Sequence, residues 1–364
     1  MLPAAANPRV SVLLPVRNGA HTVAAAVASI QAQTFPHWEL VAIDDGSSDA
    51  SAEVLSRLAR AEPRVRLFRR PAEGLVAALQ TGLGAARGEL IARMDADDVA
   101  HPERLAAQVE FLDQPGRGAI GVVGCRVEFG GDRAARRGYA LHVEWLNGIT
   151  TPEAIARNRF VESPHAHPSV MFRRELVARH GGYRAGDFPE DYELWLRWLE
   201  AGVQMAKVPR VLLRWNDPPE RLSRTDVRYS PEAFFRLKAE WLARWLHREC
   251  PLPAPDQTVW RRAAVHGAAG REILVWGAGR PTRQRARWLE RHGVRIAGYI
   301  DVDARKIAPA LGGTGVPVLS PAQLPAPGRV FVLGYVATRG ARELIRAELE
   351  RRRYVEGRDF LMCA

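Results

Sequence analysis

Three groups of acidic residues have the types and spacing that could carry out chemistry. Asp44-Asp45 precedes Gly46-Ser47, Asp95-Ala96-Asp97-Asp98 follows an apolar stretch, and Glu190-Asp191 opens a segment rich in Leu and Trp. Carboxylate oxygens separated by one residue suit Mg²⁺ or Mn²⁺, which bridge to substrate phosphates. A carboxylate such as Asp191 could act as a general base on a hydroxyl group. Each group also has a structural interpretation, as an acidic turn or as the first turn of a helix.

Alternating strands and helices position the first two groups. Apolar, β-branched stretches predict strands at 9–16, 38–43, 65–68 and 90–94, with helices between them at 21–33, 51–61 and 74–86. This alternation predicts an α/β fold with a mostly parallel sheet and helices on both faces. Ligands of such sheets bind beyond the carboxyl ends of the strands. Both acidic groups are therefore expected at one ligand-binding edge.

The following residues show a more mixed order. We predict strands at 121–129 and 169–172, helices at 152–159, 174–180 and 190–201, and a closing strand pair or hairpin at 203–215. A loop is expected at 216–230 and a long aromatic helix at 231–249. The predicted domains are residues 1–230, a helix and linker at 231–262 whose proline-rich stretch is Cys250–Asp256, and a smaller α/β domain at 263–364.

The smaller domain contains a glycine turn between a predicted strand and a predicted helix. Gly277-Ala278-Gly279 is followed by Asp301 at the end of the next strand, which is similar to a dinucleotide-binding turn but lacks its third glycine. We therefore predict a small Rossmann-like accessory domain. Nucleotide binding, dimerisation and acceptor positioning all stay open as its role.

Composition limits the partners. The 364 residues include 52 Lys+Arg against 41 Asp+Glu, a net charge of +11. This charge reflects either a compositional preference for Arg or a field that attracts phosphorylated substrates or an anionic membrane surface. No nucleic-acid-binding motif is evident, so nucleic acid is not an expected partner. Three scattered cysteines and the absence of leader-like or membrane-spanning stretches predict a cytoplasmic protein. Peripheral contact with the inner face of the membrane and a homodimer are open alternatives.

Taken in order, these motifs resemble those of the family 2 glycosyltransferases, which have the GT-A fold. The resemblance spans residues 8–215 and rests on Pro15-Val16-Arg17-Asn18 and the three acidic groups. Three further stretches are similar to family segments: Ser29–Phe35, His167–Arg173 and Asp191–Arg197.

The resemblance implies roles for individual residues. Pro15, Val16, Arg17 and Asn18 would line the donor nucleotide pocket, Asp45 would contact the base with Asp44 supporting it, and Asp95 and Ala96 would lie near the ribose. Asp97 would be the main ligand of Mn²⁺ or Mg²⁺, with Asp95 near its water shell and Asp98 as a second contact. The family is inverting, so Asp191 would be the catalytic base of a single displacement.

Four further residues are predicted contacts of the pyrophosphate or the acceptor: Glu190, His167, Arg214 and Arg224. Arg221 belongs to the same basic loop as Arg224, and a solvated loop is the alternative interpretation. Arg17 stands where family members often carry an aromatic residue, so it would stack on the base or reach phosphate.

The resemblance favours a UDP-sugar as donor over GDP- and dTDP-sugars. The expected acceptor is a surface polysaccharide, a lipid-linked glycan or a small molecule. Leu213-Arg214-Trp215 lacks the preceding Gln of processive members, which argues against a polymerising synthase. Two alternatives are a nucleotide-sugar-binding scaffold without turnover and a nucleotidyltransferase, whose glycine-rich basic loop is poorly matched by residues 15–19.

Overall fold

Two sheets, one in each unit of the chain, carry the fold of the computed structural model. The structure describes residues 8–218, 221–249, 270–310, 315–338 and 340–364. The first unit comprises Met1–Ala156 and Ser163–Tyr229, and the second comprises Arg157–Glu162 and Ser230–Ala364. The proline-rich boundary predicted at 250–256 lies outside the described residues.

The first unit is built on an eight-stranded sheet. Its strands are β1 (Val10–Val16), β2 (Trp38–Asp45), β3 (Val65–Arg70), β4 (Leu90–Arg93), β5 (Val99–Ala100), β6 (Ile120–Phe129), β7 (Met171–Arg173) and β8 (Gln204–Trp215). They lie in the order β3-β2-β1-β4-β7-β6-β8-β5. The strands from β3 to β4 pair in parallel, and so do β6 and β8, whereas β7 and β5 run antiparallel to their neighbours. The predicted mostly parallel sheet is confirmed.

Helices cover both faces of this sheet. They are α1 (Val23–Gln31), α2 (Ser51–Ala61), α3 (Leu75–Ala85), α4 (Arg104–Asp113), α5 (Arg137–Gly148), α6 (Pro152–Asn158), α7 (Glu175–His180) and α8 (Glu190–Glu200). The short α9 (Leu222–Thr225) follows β8 and has no buried residue. Alternate residues of β1 point to opposite faces, so Val12 and Leu14 join one buried cluster while Leu13 joins another. Trp195 and Trp198 anchor α8 in the second of these clusters.

The prediction of a strand pair or hairpin at 203–215 was wrong. This stretch forms the single strand β8, which pairs with β6 on one side and with β5 on the other. A hairpin needs turn residues that accept positive φ, and Pro209-Arg210 does not supply them. The chain instead makes irregular steps in register against Cys125–Val127 of β6, as at a β-bulge.

The second unit contains a five-stranded parallel sheet. Its elements are α10 (Pro231–Glu249), β9 (Glu272–Trp276), α11 (Arg280–Arg291), β10 (Ile296–Ile300), β11 (Val318–Leu319), β12 (Val330–Gly334), α12 (Ala341–Arg351) and β13 (Phe360–Met362). The strand order β11-β10-β9-β12-β13 is that of a Rossmann-like sheet. The long helix α10, predicted as part of a linking segment, packs against α11 inside this unit.

The glycine turn of the second unit is braced by Asp301. The Asp301 carboxylate accepts hydrogen bonds from the backbone nitrogens of Ala278 and Asp303, each at 3.0 Å, and pairs with the Lys306 ammonium at 3.1 Å. In dinucleotide sites the acid at this position binds ribose hydroxyls. Here it holds its own loop together.

None of the helices in the described ranges is both long enough and apolar enough to cross a membrane.

Candidate active site

The loops that follow β1 and β2 are held together by hydrogen bonds. The parallel register places Val16 beside Asp44 at the ends of these strands. The backbone nitrogen of Asn18 donates to Ser47 Oγ at 3.0 Å, and the backbone nitrogen of Ser48 donates to the side-chain oxygen Oδ1 of Asn18 at 2.8 Å. Asn18 has φ 54°, a left-handed conformation that Asn tolerates better than most residues. The predicted nucleotide-pocket segments at 15–18 and 44–45 are therefore neighbours, with Arg17 and Asn18 exposed.

Asp44 and Asp45 are both buried at the end of β2. The Asp45 carboxylate accepts from the backbone nitrogens of Glu73 at 3.1 Å and Gly74 at 2.8 Å, and Arg70 Nε lies 3.4 Å from it. Asp44 Oδ1 accepts from the Ser47 amide at 3.2 Å. Asp45 thus orders the loop before α3, and its contact with a nucleobase stays a prediction.

The acidic group after β4 forms a compact cluster. One carboxylate oxygen from each of Asp95, Asp97 and Asp98 lies within 4.8 Å of the others. Asp98 is only 1% exposed, and its Oδ1 accepts a hydrogen bond from the backbone nitrogen of Asn216 at 2.8 Å. The other oxygen of Asp98, Oδ2, is buried and has no hydrogen-bond partner among the described residues. A buried carboxylate oxygen without a partner is costly, and coordination of a cation would satisfy it, so Asp98 fits the role of a metal ligand.

The electrostatics of the cluster agree with a cation site. Burial and the Asp95 carboxylate raise the pKa of Asp97 to about 6. Burial, Asp95 and Asp97 raise the pKa of Asp98 well above its ordinary value. Like charges that are crowded together raise each other's pKa values, and a bound divalent ion reverses this effect. The three oxygen donors fit Mg²⁺ or Mn²⁺, which prefer such ligands.

Two arginines lie beside the cluster. Arg93 is buried at the end of β4, and its Nη2 donates to Asp95 Oδ1 at 2.6 Å. Arg221 packs its guanidinium over the Trp215 ring, 4.4 Å from the ring centroid, and donates to the Tyr139 hydroxyl. The Arg221 charge interacts with all three carboxylates. The cluster is thus flanked by positive groups that could meet the phosphates of a donor.

The ends of β1, β4 and β8 converge on this cluster. A methyl group built on Gly19, in the loop after β1, would lie 3.5 Å from Cβ of Ala96. The side-chain amide of Asn216, directly after β8, donates to the carbonyl oxygen of Asp97 at 2.6 Å. The tertiary fold therefore places the predicted nucleotide loop and the predicted metal ligands side by side.

Asp191, the predicted base, is the second residue of α8. It is partly buried, its Oδ1 accepts from the Tyr192 amide at 2.7 Å, and Ser163 Oγ lies 3.5 Å from its Oδ2. Arg93, which donates to Asp95 at 2.6 Å, also lies close enough to interact with the charge of Glu190, the residue before Asp191. The acidic cluster and the predicted base are thus brought to one region.

The other predicted contacts differ in their placement. Glu190 and His167 are buried next to each other, with His167 Nδ1 3.6 Å from Glu190 Oε1. Arg214 is exposed on β8 opposite Val99 of β5. Arg224 donates to both carboxylate oxygens of Asp217, so it is held by an acid of its own loop.

The sequence did not predict five polar residues of this region: Arg70, Arg93, Tyr183, Asn216 and Tyr229. Arg93 carried a usable signal, because a charged residue that ends an apolar strand just before an acidic group has a ready partner. The others are polar residues whose partners lie far away in the sequence, and no local pattern marks them.

Comparison with known proteins agrees with this geometry. The sequence profile described as Glycosyl transferase family 2 matches residues 11–181, which include both Asp44–Asp45 and Asp95–Asp98. EpsE of Bacillus subtilis (strain 168), provisionally designated a glycosyltransferase, is 30% identical over 231 residues, which are 62% of this chain and 78% of EpsE. The amylovoran biosynthesis glycosyltransferase AmsE of Erwinia amylovora is 31% identical over 191 residues, which are 51% of this chain and 67% of AmsE.

A solved structure shows the same fold. TarS of S. aureus, residues 1–349 in complex with UDP-GlcNAc, matches with a TM-score of 0.52 and 18% identity, covering 66% of this chain and 72% of that one.

A further sequence relative is the O-antigen biosynthesis glycosyltransferase WbnJ of Escherichia coli, which is 29% identical over 191 residues, or 52% of this chain and 71% of WbnJ. With 30% identity over most of EpsE, a matching profile and the GT-A arrangement of strand-end carboxylates, this chain belongs to glycosyltransferase family 2.

Proposed function

We propose that the protein is an inverting, metal-dependent glycosyltransferase that moves a sugar from a UDP-sugar to an acceptor hydroxyl. One observation carries the proposal. Asp95, Asp97 and Asp98 form a carboxylate cluster in which Asp98 Oδ2 is buried without a hydrogen-bond partner among the described residues, and Arg93 links this cluster to Glu190, next to Asp191. Such a site offers a place for a diphosphate-bound cation and a base for a hydroxyl group.

The proposed mechanism is a single displacement. Asp191 removes the proton of the acceptor hydroxyl, whose oxygen attacks the anomeric carbon as the bond to the β-phosphate oxygen breaks. Asp97 and Asp95, with Asp98, would hold Mn²⁺ or Mg²⁺, and this ion would neutralise the charge of the departing diphosphate. Arg221 adds a fixed positive charge on the same side. The loops at 15–18 and 44–45 would hold the nucleoside.

The proposed donor and acceptor follow from what similar proteins bind or help to synthesise. TarS binds UDP-GlcNAc, which supports a UDP-sugar here. AmsE and WbnJ take part in amylovoran and O-antigen biosynthesis, which supports a glycan or lipid-linked acceptor. A cytoplasmic location, peripheral contact with the inner face of the membrane and a homodimer all stay predictions.

The test is nucleoside diphosphate release from UDP-glucose, UDP-galactose, UDP-N-acetylglucosamine and GDP-mannose, with Mn²⁺, with Mg²⁺ and with EDTA. We expect release from a UDP-sugar that EDTA abolishes and that Asp97→Ala and Asp191→Asn each reduce by at least about 100-fold. Asp113→Asn is the matched control, because Asp113 is an exposed carboxylate of the same unit that pairs with Arg9.

Other outcomes would favour the alternatives. Release of pyrophosphate instead of a nucleoside diphosphate would indicate nucleotidyl transfer. Binding of UDP-sugars without turnover, unaffected by Asp191→Asn, would indicate a scaffold. Turnover in EDTA equal to that in Mn²⁺ would contradict the metal-dependent mechanism.

A further inference from the structure

A chain of buried polar side chains meets the start of α8. It consists of Tyr183, His167, Glu190 and Tyr229, which we call the α8 anchor. The Tyr183 hydroxyl lies 2.7 Å from His167 Nε2, His167 Nδ1 lies 3.6 Å from Glu190 Oε1, and the Tyr229 hydroxyl donates to Glu190 Oε2 at 2.6 Å. Its members come from four separate stretches of the first unit.

The protonation of the anchor follows from its surroundings. Burial lowers the pKa of His167 well below its ordinary value, so the imidazole is neutral. Burial raises the pKa of Glu190. In its ionised form Glu190 accepts hydrogen bonds and donates none, which favours the His167 proton on Nδ1, facing Glu190. His167 Nε2 then accepts from the Tyr183 hydroxyl. Arg93 lies close enough to interact with both Glu190 and Tyr183. Its positive charge balances the buried carboxylate.

The anchor occupies both oxygens of Glu190. One faces Tyr229 and the other faces His167, and Glu190 itself is only 2% exposed. His167 has its ring nitrogens toward Tyr183 and Glu190 and is 9% exposed. The polar atoms of both residues thus face other members of the anchor, which argues against the contacts with pyrophosphate or acceptor that their sequence positions suggested.

Glu190 precedes Asp191 directly on α8. Successive residues of a helix point about 100° apart, so a side chain fixed toward the interior determines the direction of the next one. Asp191 lies in the first turn, where a helix frays unless it is held. A strong anchor at Glu190 therefore limits the positions that the Asp191 carboxylate can take.

We propose that Glu190 and His167 are positioning residues that hold Asp191 through the α8 anchor, and that they contact neither donor nor acceptor. This inference rests on the proposed function, because it takes Asp191 as the base. A base that is displaced by about 1 Å slows the reaction while nucleotide binding is retained.

The experiment compares single hydroxyl deletions in the full chain. Tyr229→Phe removes the hydrogen bond to Glu190, and Tyr183→Phe removes the bond at the far end of the anchor. Tyr335→Phe is the matched control, because the Tyr335 hydroxyl is buried without a hydrogen-bond partner among the described residues. The probes are the UDP-sugar that the wild type hydrolyses fastest, with Mn²⁺, and UDP alone for calorimetric binding.

We expect Tyr229→Phe to lower kcat for UDP release by about 10- to 100-fold, since a hydrogen bond to a charged group is lost. Tyr183→Phe should lower kcat less, because it acts through His167. The donor KM and the UDP affinity should stay within about twofold in both variants, and Tyr335→Phe should change neither. Glu190→Gln, which keeps an oxygen that accepts from Tyr229, should retain more activity than Glu190→Leu.

Two outcomes would overturn the inference. An unchanged kcat in both Tyr229→Phe and Tyr183→Phe would show that the anchor does not act on Asp191. A donor KM or UDP dissociation constant that rises in step with the loss of rate would show that these residues serve donor binding. A wild type without nucleoside diphosphate release would instead refute the proposed function, so the two failures are distinguishable.

Discussion

The crowding of Asp95, Asp97 and Asp98 opposes folding when no cation is bound. The pKa of Asp97 is raised by burial and by Asp95 from 3.8 to about 6. The folded protein thus holds this proton more tightly than the unfolded chain, so the free energy of unfolding falls as pH rises from about 4 through about 6. By about pH 7.5 the loss reaches at most about 3 kcal/mol. Asp97→Asn should abolish this loss of unfolding free energy, and the melting temperature should rise by about 2–4 °C for each kcal/mol regained.

Thermal unfolding in EDTA and in excess MnCl₂ tests this reasoning, with Asp113→Asn as the control. In EDTA we expect Asp97→Asn to melt above the wild type at about pH 7.5 and by about half that margin at about pH 5, midway between the pKa values of Asp97 in the unfolded and the folded chain. Mn²⁺ at about 100 times its Kd should stabilise the wild type by about 2.7 kcal/mol and the variant far less. A variant that melts below the wild type in EDTA would show that the carboxylate stabilises the metal-free fold and would refute the argument.

Four further substitutions test how the scaffold is stabilised. Gly46 has φ 65° and a Cβ there would lie 2.6 Å from the Ala72 nitrogen, so Gly46→Ala should cost at least about 1–2 kcal/mol in chemical denaturation. Gly84→Ala in α3, where nothing lies within 4 Å, should instead gain about 0.5–1 kcal/mol. Burial lowers the pKa of Lys207 to about 7, so unfolding free energy should rise between about pH 7 and 10, and Lys207→Met should flatten that profile. Arg197→Met should cost about 3–5 kcal/mol by leaving the buried Glu193 with only the exposed Arg184, 3.6 Å away, and an unchanged melting temperature would contradict this.

Local patterns were enough to predict the first four strands and the helices between them. Each strand of this region reads as an apolar run, and each acidic or glycine-containing break falls where the strand ends. The placement of the acidic groups at the ligand-binding edge followed from the parallel topology that this alternation predicts. Each of these features depends on residues that are close together in the sequence, so a local sequence pattern is enough to predict it.

The helix α4 shows where local patterns fail. It was not predicted, and its buried face includes Arg104 and Gln108, both 0% exposed. Arg104 donates to the carbonyl oxygen of Arg93 at 2.7 Å, and Gln108 donates to that of Val123 at 3.0 Å. Polar residues on the inner face hide the helical periodicity, and only their distant partners make the burial tolerable.

By itself the sequence determined which residues could hold a metal and act as a base, because residue type, spacing and position at strand ends are local properties. The tertiary structure alone decided how those residues are held. It pairs Arg93 with Asp95, brings Asn216 to Asp98 and sets Tyr229 against Glu190. The last two contacts join residues that are 118 and 39 positions apart. The free energy of burying a polar group depends on the partner that the fold supplies, and a single stretch of sequence does not contain that partner.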